Sequence, residues 1–575
     1  MHEIFSIKLP GLDRLWSYDR SWWRGDILAG ITVAAYLIPQ CMAYGELVGV
    51  PPVVGLWTIL PAILVYALFG SSRQLSVGPE STTAVMTAAA ISPLLLADRS
   101  NYLMLASTLA VLVGGVCVVG YFAKLGFLAN LLSKPILIGY MAGVAVIMIA
   151  GQLGKIGGIP IEGNTVFAQI GEFIDRLIGG ADAGEPSIHW LTLILAGLTI
   201  GFLFVFGRLV PQAPAPLLAI LIGTAAVAIF KLDRQGVAVV GEIPAGLPQF
   251  VLPNLPTQLP SLLASALGIA IVGYSDNVLT ARSFAARNRD YRSDRLRQRI
   301  DANQELLALG LANLGAGLMQ GFPVSSSGSR TAIADTAGSK TQLFSLVAMG
   351  VVVVVLLFLR PILSLFPKAA LGAIVVFAAI KLIDIPEFVR LYKFRRSEFL
   401  IALMTTLGVI LTDILVGVAV AVGLSIVELL ARLARPHDAV QGIVPNLPGL
   451  HDIQDWAGAT TIPGLVIYRY DAPLCFANAE DFKCRALDAI AAEVTPVEWF
   501  VLNTEAIVEI DITAADVLAE LCDELAARGI TLGMARVKQD LYVQLKRSHL
   551  LEKIGERHIY MTLHSMLTDF ESRGQ

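Results

Sequence analysis

Two short segments carry the residue types that could do chemistry. Gln74-Leu75-Ser76-Val77-Gly78-Pro79-Glu80-Ser81-Thr82 and Phe322-Pro323-Val324-Ser325-Ser326-Ser327-Gly328-Ser329-Arg330-Thr331 are runs rich in Pro, Gly and Ser inside hydrophobic surroundings. Such a run cannot be ordinary lipid-facing helix, because its backbone polar groups would be unsatisfied in hydrocarbon. It is tolerated at membrane depth where it is buried in protein or lines a cavity. Each segment reads as an extended stretch followed by a short helix, starting near Glu80 and near Ser329. A helix N-terminus exposes free N–H groups and carries about half a positive charge. Two of them meeting near the midplane make an anion cradle, and Arg330 adds a full positive charge in the first turn of the second.

Asp276 lies in the apolar run Tyr274-Ser275-Asp276-Asn277-Val278-Leu279-Thr280. An acid inside a membrane helix is a functional candidate by default; the alternative is a structural partner for Arg330. Thr280 follows one turn along the same face. Gln40 and Tyr44 share that spacing in Ile38-Pro39-Gln40-Cys41-Met42-Ala43-Tyr44, with ordinary interhelical hydrogen bonding as the alternative. Glu80 reads as a helix N-terminal acid that would repel an anion. Two helix ends and Arg330 together offer roughly two positive charges. An ionised Asp276 would cancel one of them and a protonated Asp276 would not, so a divalent anion and a proton should bind together, each strengthening the other.

These residues suggest binding rather than covalent catalysis. The chain has no HExxH, no P-loop and no nucleophile–base pair, and its five cysteines, Cys41, Cys117, Cys475, Cys484 and Cys522, form no CxxC or Cys/His metal spacing. The expectation is a protein that is not an enzyme and needs no cofactor or metal.

The elements that must position these residues follow from composition. Of 575 residues, 55% are hydrophobic and 15% charged, and mean hydropathy is +0.69. A soluble chain would carry about a quarter charged residues. A soluble enzyme, a disordered scaffold and a nucleic-acid binder with a large basic face are excluded, and a net charge of −4 implies no global electrostatic partner. The N-terminal segment 1–26 is not expected to be a signal peptide, since the first apolar run begins near Ile27. Residues 27–433 hold about fourteen spans at about 20 apolar residues each. The third falls near 81–97, the eighth near 262–282 and the tenth near 329–337.

Basic residues cluster on one side of these spans: Lys8, Arg14, Arg20 and Arg24; Lys124 and Lys134; Arg208; Arg282, Arg287, Arg289, Arg292, Arg295, Arg297 and Arg299; Arg390, Lys393, Arg395 and Arg396; Arg432 and Arg435. That side is expected to be cytoplasmic. The opposite loop 155–188 is acidic, with Glu162, Glu172, Asp175, Asp182 and Glu185. An offset of 250 superposes Ser76 on Ser326, Gly78 on Gly328 and Glu80 on Arg330. An offset near 236 brings Gln40 onto Asp276. Interrupted segments at matching positions, with seven spans in each half, predict inverted repeats over about 27–231 and 262–433. Residues 434–462, with Pro436, Pro445 and Pro448, read as a linker. Residues 463–575 read as a small α/β domain. Its strands are expected at Gly464–Tyr470, Trp499–Asn503 and Thr531–Ala535, and its helices at Ala479–Ala492, Ala514–Arg528 and Gln539–Ser548.

At these residues the chain resembles the SulP family of anion transporters, and looks closest to bacterial SulP sulfate permeases. The resemblance rests on Leu37-Ile38-Pro39-Gln40-Cys41-Met42-Ala43-Tyr44, Ser76-Val77-Gly78-Pro79-Glu80-Ser81, Pro323–Thr331 and Gly338-Ser339-Lys340-Thr341-Gln342. The tail resembles the STAS domain that ends most members, and the likeness spans about residues 20 to 570. It implies an α-helical polytopic membrane protein of seven-plus-seven inverted repeats. A core domain is built from spans 1–4 and 8–11, and a gate domain from spans 5–7 and 12–14. It also implies that Gln40, Tyr44, Ser81, Thr82, Gly328, Ser329 and Arg330 line the substrate site, and that Asp276 and Thr280 hold the coupling ion. A homodimer through the STAS and membrane domains is implied as well. Two departures stand out. Sodium-coupled bicarbonate members carry a hydroxyl residue where this chain has Gly328. STAS domains switched by phosphorylation carry a serine where this chain has Ile512.

The reading is a multi-pass transporter of the bacterial inner membrane, with its N-terminus and STAS domain cytoplasmic. Its expected work is proton-coupled sulfate uptake by an elevator-like movement. Bicarbonate, a dicarboxylate, an anion channel of the same fold and a signalling scaffold with a STAS output are the alternatives.

Overall fold

A computed structural model describes residues 9–95, 102–130, 133–163, 165–178, 188–210, 213–244, 246–253, 259–287, 300–412, 414–456 and 458–573. The chain divides into two compact units, Met1–Ser425 and Ile426–Gln575. Lys8, Asp182, Glu185, Arg289, Arg292, Arg295, Arg297 and Arg299 of the charge pattern lie outside the described residues.

Helices stand at the positions of the expected spans. The first is Trp23–Val48, followed by Pro52–Phe69, Ser81–Ile91, Tyr102–Phe122, Lys134–Gly157, Trp190–Leu209 and Ala215–Phe230. The second half runs Leu259–Arg287, Ala302–Leu318, Gly328–Thr336, Leu343–Phe358, Lys368–Leu382, Arg396–Leu411 and Ile414–Ala434. Among the described residues, seven helices are long and apolar enough to cross a membrane, and Ala215–Phe230 and Leu343–Phe358 are shorter apolar helices. The first span begins at Trp23 rather than near Ile27. It carries Asp26 inside its first turn, because that carboxylate is fully buried and hydrogen-bonded.

The helices sort into two groups. One packs Trp23–Val48, Pro52–Phe69, Ser81–Ile91 and Tyr102–Phe122 with Leu259–Arg287, Ala302–Leu318, Gly328–Thr336 and Leu343–Phe358. The other packs Lys134–Gly157, Trp190–Leu209 and Ala215–Phe230 with Lys368–Leu382 and Arg396–Leu411. The groups meet chiefly along the first span, which touches Ala215–Phe230 and Lys368–Leu382. Small residues let the backbones approach, since little hydrophobic force acts between helices in lipid. A Cβ on Gly114 would sit 2.7 Å from the Gly310 carbonyl oxygen in the first group. One on Gly139 would sit 2.1 Å from that of Ala402 in the second.

The third and tenth helices, Ser81–Ile91 and Gly328–Thr336, have only 11 and 9 residues. Each follows an extended stretch. Strands β1 (Val77–Gly78) and β2 (Ser325–Ser326) pair antiparallel, with Val77 opposite Ser326 and Gly78 opposite Ser325. The Ser327 N–H donates to the Ser76 carbonyl at 2.9 Å. Two broken helices thus satisfy each other's backbone, the condition for irregular chain at membrane depth.

Two helices stand where the sequence reads as loop. Val166–Ile178 and Ile385–Phe394 are strongly amphipathic, and their charged residues interrupt the apolar run that marks a span. A larger difference concerns 434–462. It is not only a linker: β3 (Asp438–Val444) and β4 (Leu447–Asp452) form a hairpin there. With β5 (Leu465–Tyr470), β6 (Trp499–Asn503), β7 (Thr531–Ala535) and β8 (Ile559–Tyr560) they make a six-stranded sheet of order β4-β3-β5-β6-β7-β8. The prolines that suggest a linker sit where a sheet tolerates them. Pro445 is in the hairpin turn beside Asn446, which is left-handed at φ 63°, and Pro448 is on the edge strand.

In this second unit β5, β6, β7 and β8 are parallel. Helices Ala479–Ala491, Ile512–Ala527 and Gln539–Arg547 agree with the sequence pattern. Tyr468 is buried and donates to Asp438 at 2.6 Å, and both effects hold its phenol above the usual range. Asp511 caps the helix at Ile512 by accepting from the Ala514 N–H at 2.8 Å, leaving Ile512 exposed. All five cysteines are free.

Candidate functional site

The two extended stretches are braced from both sides. Gln74 Nε2 donates to Asp335 Oδ1 at 3.0 Å and to the Ser339 carbonyl at 2.8 Å. Gln342 Nε2 donates to the carbonyls of Ser72 and Leu75 at 3.1 and 2.9 Å. The Ser76 N–H donates to Thr331 Oγ1 at 3.0 Å. Asp26 accepts from the Lys340 N–H at 2.6 Å and from Thr341 Oγ1 at 2.6 Å, tying the first span to the Gly338–Gln342 turn. These bonds fix where two helix N-termini point.

Those N-termini begin at Ser81 and Gly328, with Glu80 and Ser327 as caps. Glu80 accepts from the Thr82 N–H at 2.7 Å and from Ser81 Oγ; Ser327 Oγ accepts from the Arg330 N–H at 3.4 Å. The equivalence of the two segments is therefore Glu80 with Ser327, an offset of 247. The offset of 250, which aligns Glu80 with Arg330, is corrected. Cap position, not glycine position, sets the register of a half-helix.

Arg330 is fully buried. Its Nε donates to Ser76 Oγ at 3.2 Å and its Nη1 to the Pro79 carbonyl at 2.7 Å. Its Nη2 is buried with no partner. Neither Glu80 nor Asp276 pairs with it: Glu80 serves as a cap, and Asp276 Oδ2 accepts from Ser326 Oγ at 2.8 Å. Gly78 is the residue the geometry demands beside the guanidinium. A Cβ there would sit 1.8 Å from Ile59 Cδ1 and 3.4 Å from Arg330 Nη2.

The other candidates gather around this group. Tyr44 is buried beside Ser81, with Glu80 and Arg330 within electrostatic reach. Gln40, one turn earlier, is buried with its Oε1 unpartnered, and Thr82 is buried with its Oγ1 unpartnered. Gly328 and Ser329 are exposed at the start of their helix, and Ser329 Oγ lies 3.2 Å from Ser327 Oγ. A Cβ on Gly328 would meet only Thr280 Cγ2, at 4.0 Å, so that face is open. Thr280 lies beside the Asp276 carboxyl. Gln40, Tyr44, Ser81, Thr82, Gly328, Ser329, Arg330, Asp276 and Thr280 thus come from four spans to one place.

Two residues join the picture that sequence reasoning missed. Tyr140, on Lys134–Gly157, is buried with its hydroxyl unpartnered, and Glu80 and Asp276 act on it electrostatically. Nothing in its apolar run marks it. Glu305 is fully buried and accepts from Tyr66 Oη at 2.9 Å, the Ser71 N–H at 2.8 Å, Ser71 Oγ at 2.7 Å and Asn277 Nδ2 at 2.6 Å. It is an acid in an apolar span, the same signal that singles out Asp276.

Chemically the arrangement offers unpaired donors, two helix N-termini and one buried guanidinium, with the Glu80 and Asp276 carboxyls alongside. It can hold an anion by charge-assisted hydrogen bonds. Among the described residues no three His, Cys, Asp or Glu side chains cluster to hold a metal.

Comparison with known proteins gives a consistent likeness. Residues 23–405 match the sulfate permease family and residues 457–566 the STAS domain. A probable sulfate transporter of Mycobacterium tuberculosis is 51% identical over 98% of this chain and 98% of its own. The murine anion transporter Slc26a9, solved in an inward-facing state, has a similar fold. Its TM-score is 0.87 at 22% identity, over 99% of this chain and 95% of that one. The transmembrane domain of the cyanobacterial bicarbonate transporter BicA matches with a TM-score of 0.59 at 25% identity, over 70% of this chain and 98% of that one.

Proposed function

The chain belongs to the sulfate permease family, and from that premise we propose that it is a secondary transporter carrying sulfate across the bacterial inner membrane. The observation that carries this reading is Arg330, a fully buried cation with its Nη2 unpartnered and, among the described residues, no carboxylate paired to it. A buried charge left without a counter-ion is costly, so its natural complement is an anionic ligand. Sulfate would sit before the N-termini at Ser81 and Gly328. Gln40, Tyr44, Thr82 and Ser329 would bond its remaining oxygens.

Coupling follows from Asp276. With Glu80 already at the first helix N-terminus, a protonated Asp276 spares the cradle a second negative charge, so proton and sulfate bind together. The open face at Gly328, where a hydroxyl ligand would be needed, speaks against sodium. The two helix groups, meeting along the first span, are suited to sliding past each other as core and gate. The second unit would lie in the cytoplasm and join two copies as a homodimer.

The test is uptake of labelled sulfate, bicarbonate and succinate into proteoliposomes holding the full chain, with and without an inward proton gradient. Sulfate uptake driven by the gradient is expected. Preference for bicarbonate or succinate would replace the substrate, and a sodium requirement would replace the coupling ion.

A further inference from the structure

Away from the Arg330 site, a cluster of partly exposed charge joins the two helix groups. Glu46 stands in the last turn of the first span, Lys155 in the last turn of Lys134–Gly157, and Lys368 at the start of Lys368–Leu382. Glu46 Oε1 lies 3.9 Å from Lys155 Nζ and 3.8 Å from Lys368 Nζ. Lys155 Nζ also donates to the Glu46 carbonyl at 3.1 Å. Both carboxylate distances exceed a direct hydrogen bond, and Glu46 Oε2 is buried without a partner. Two ammonium groups therefore share one loosely held carboxylate, leaving one positive charge uncompensated.

Two cavities open onto these lysines. One, of about 530 Å³, is lined by Glu46, Lys155, Gln152 and Gln169 among others; the second, of about 340 Å³, has Lys155 and Lys368 on its wall. No other charged residue lines either cavity among the described residues. Each has room for on the order of ten waters, hence for a hydrated inorganic ion. All three elements reach this mouth at the ends opposite the basic loops. An anion arriving there meets a polar cavity whose charged lining residues, Lys155, Lys368 and Glu46, carry one net positive charge, although the neighbouring loop 155–188 is acidic; the attraction is therefore local to the two ammonium groups.

We propose that Lys155 and Lys368 form a second anion site at this mouth, for a small inorganic oxyanion. Glu46 is the tethered carboxylate that fills it until the free anion displaces it. The site rests on the anion-transport reading but does not use Arg330 or Asp276. It recruits the anion; the half-helix cradle carries it.

The experiment is sulfate uptake by the full chain in proteoliposomes at low and high ionic strength. Lys155→Gln with Lys368→Gln should raise the half-saturating sulfate concentration about tenfold at low ionic strength and much less at high, since salt screens an exposed charge site. The maximal rate should stay within about twofold, because uniform binding was removed. Lys155→Arg with Lys368→Arg, keeping the charge, should restore the wild-type value. Glu46→Gln should lower the half-saturating concentration several-fold, and this gain should vanish in the double-Gln background. A maximal rate that falls with half-saturation unchanged would make the cluster a structural ion pair and overturn the inference. Wild-type uptake with the double-Gln protein indistinguishable from it would do the same while leaving the transport reading intact. Wild type that takes up neither sulfate nor bicarbonate would sink both.

Discussion

Replacing Arg330 with alanine tests the anion cradle at its strongest point. The side chain makes two hydrogen bonds within the protein, to Ser76 Oγ and to the Pro79 carbonyl, and leaves Nη2 for the ligand. A hydrogen bond to a charged group contributes about 1.5–3 kcal/mol. At about 1.4 kcal/mol per tenfold, losing the Nη2 bond to sulfate weakens binding roughly 10- to 150-fold. A monovalent anion carries half the charge, so its loss should be roughly the square root of that factor, about three- to twelvefold. Lysine at 330 restores the charge, but its three donors sit on one nitrogen and lack the planar fork that reaches Ser76, Pro79 and the ligand from separate atoms, so it should recover only part of the affinity. Alanine also strands the Pro79 carbonyl, at a cost of about 1–3 kcal/mol to folding. Thermal unfolding of each purified variant separates that cost from the binding loss. The assay is equilibrium binding of sulfate and of nitrate to the full chain. Equal sulfate affinity in wild type and Arg330→Ala, or an equal loss for both anions, would refute the reasoning.

Asp276→Asn, which mimics the protonated carboxyl, is expected to keep sulfate binding and to lose the dependence of uptake on the pH gradient; unchanged dependence in a folded protein would remove Asp276 from coupling. Glu305→Ala strands the Tyr66 hydroxyl, both Ser71 donors and Asn277 Nδ2, so it should destabilise the membrane unit by several kcal/mol, at about 1–3 kcal/mol for each buried unpaired group. Glu305→Gln should cost less, and an unfolding midpoint unmoved by Glu305→Ala would contradict the assignment. A homodimer is expected with most contacts beyond Pro436. A chain ending there that stays fully dimeric in detergent at low concentration would refute this.

Much of the membrane fold is legible because hydrocarbon forbids unsatisfied backbone. The runs at Ser76–Ser81 and Pro323–Thr331 betray themselves by residue type alone. Their pairing is not legible, because β1 and β2 are two residues each, too short for any alternation to appear. The partners of Arg330 were equally hidden. Sequence offers carboxylates at Glu80 and Asp276, whereas the guanidinium binds a serine hydroxyl and a carbonyl, and any residue supplies the latter. Tyr140 escapes because an aromatic in an apolar span is ordinary core, and only its unpaired hydroxyl sets it apart. In the second unit the alternating helices and strands were readable. The hairpin β3–β4 was obscured by Pro445 and Pro448, whose turn and edge positions are tertiary facts.

An anion resting between the two half-helices against Arg330 can be located crystallographically. Selenate, the heavier isostere of sulfate, gives an anomalous signal in crystals of the full chain. A peak is expected within hydrogen-bond distance of Arg330 Nη2 and of the N–H groups opening the helices at Ser81 and Gly328, lost in Arg330→Ala. A fully occupied selenate elsewhere in the membrane unit, with that space empty, would contradict that placement.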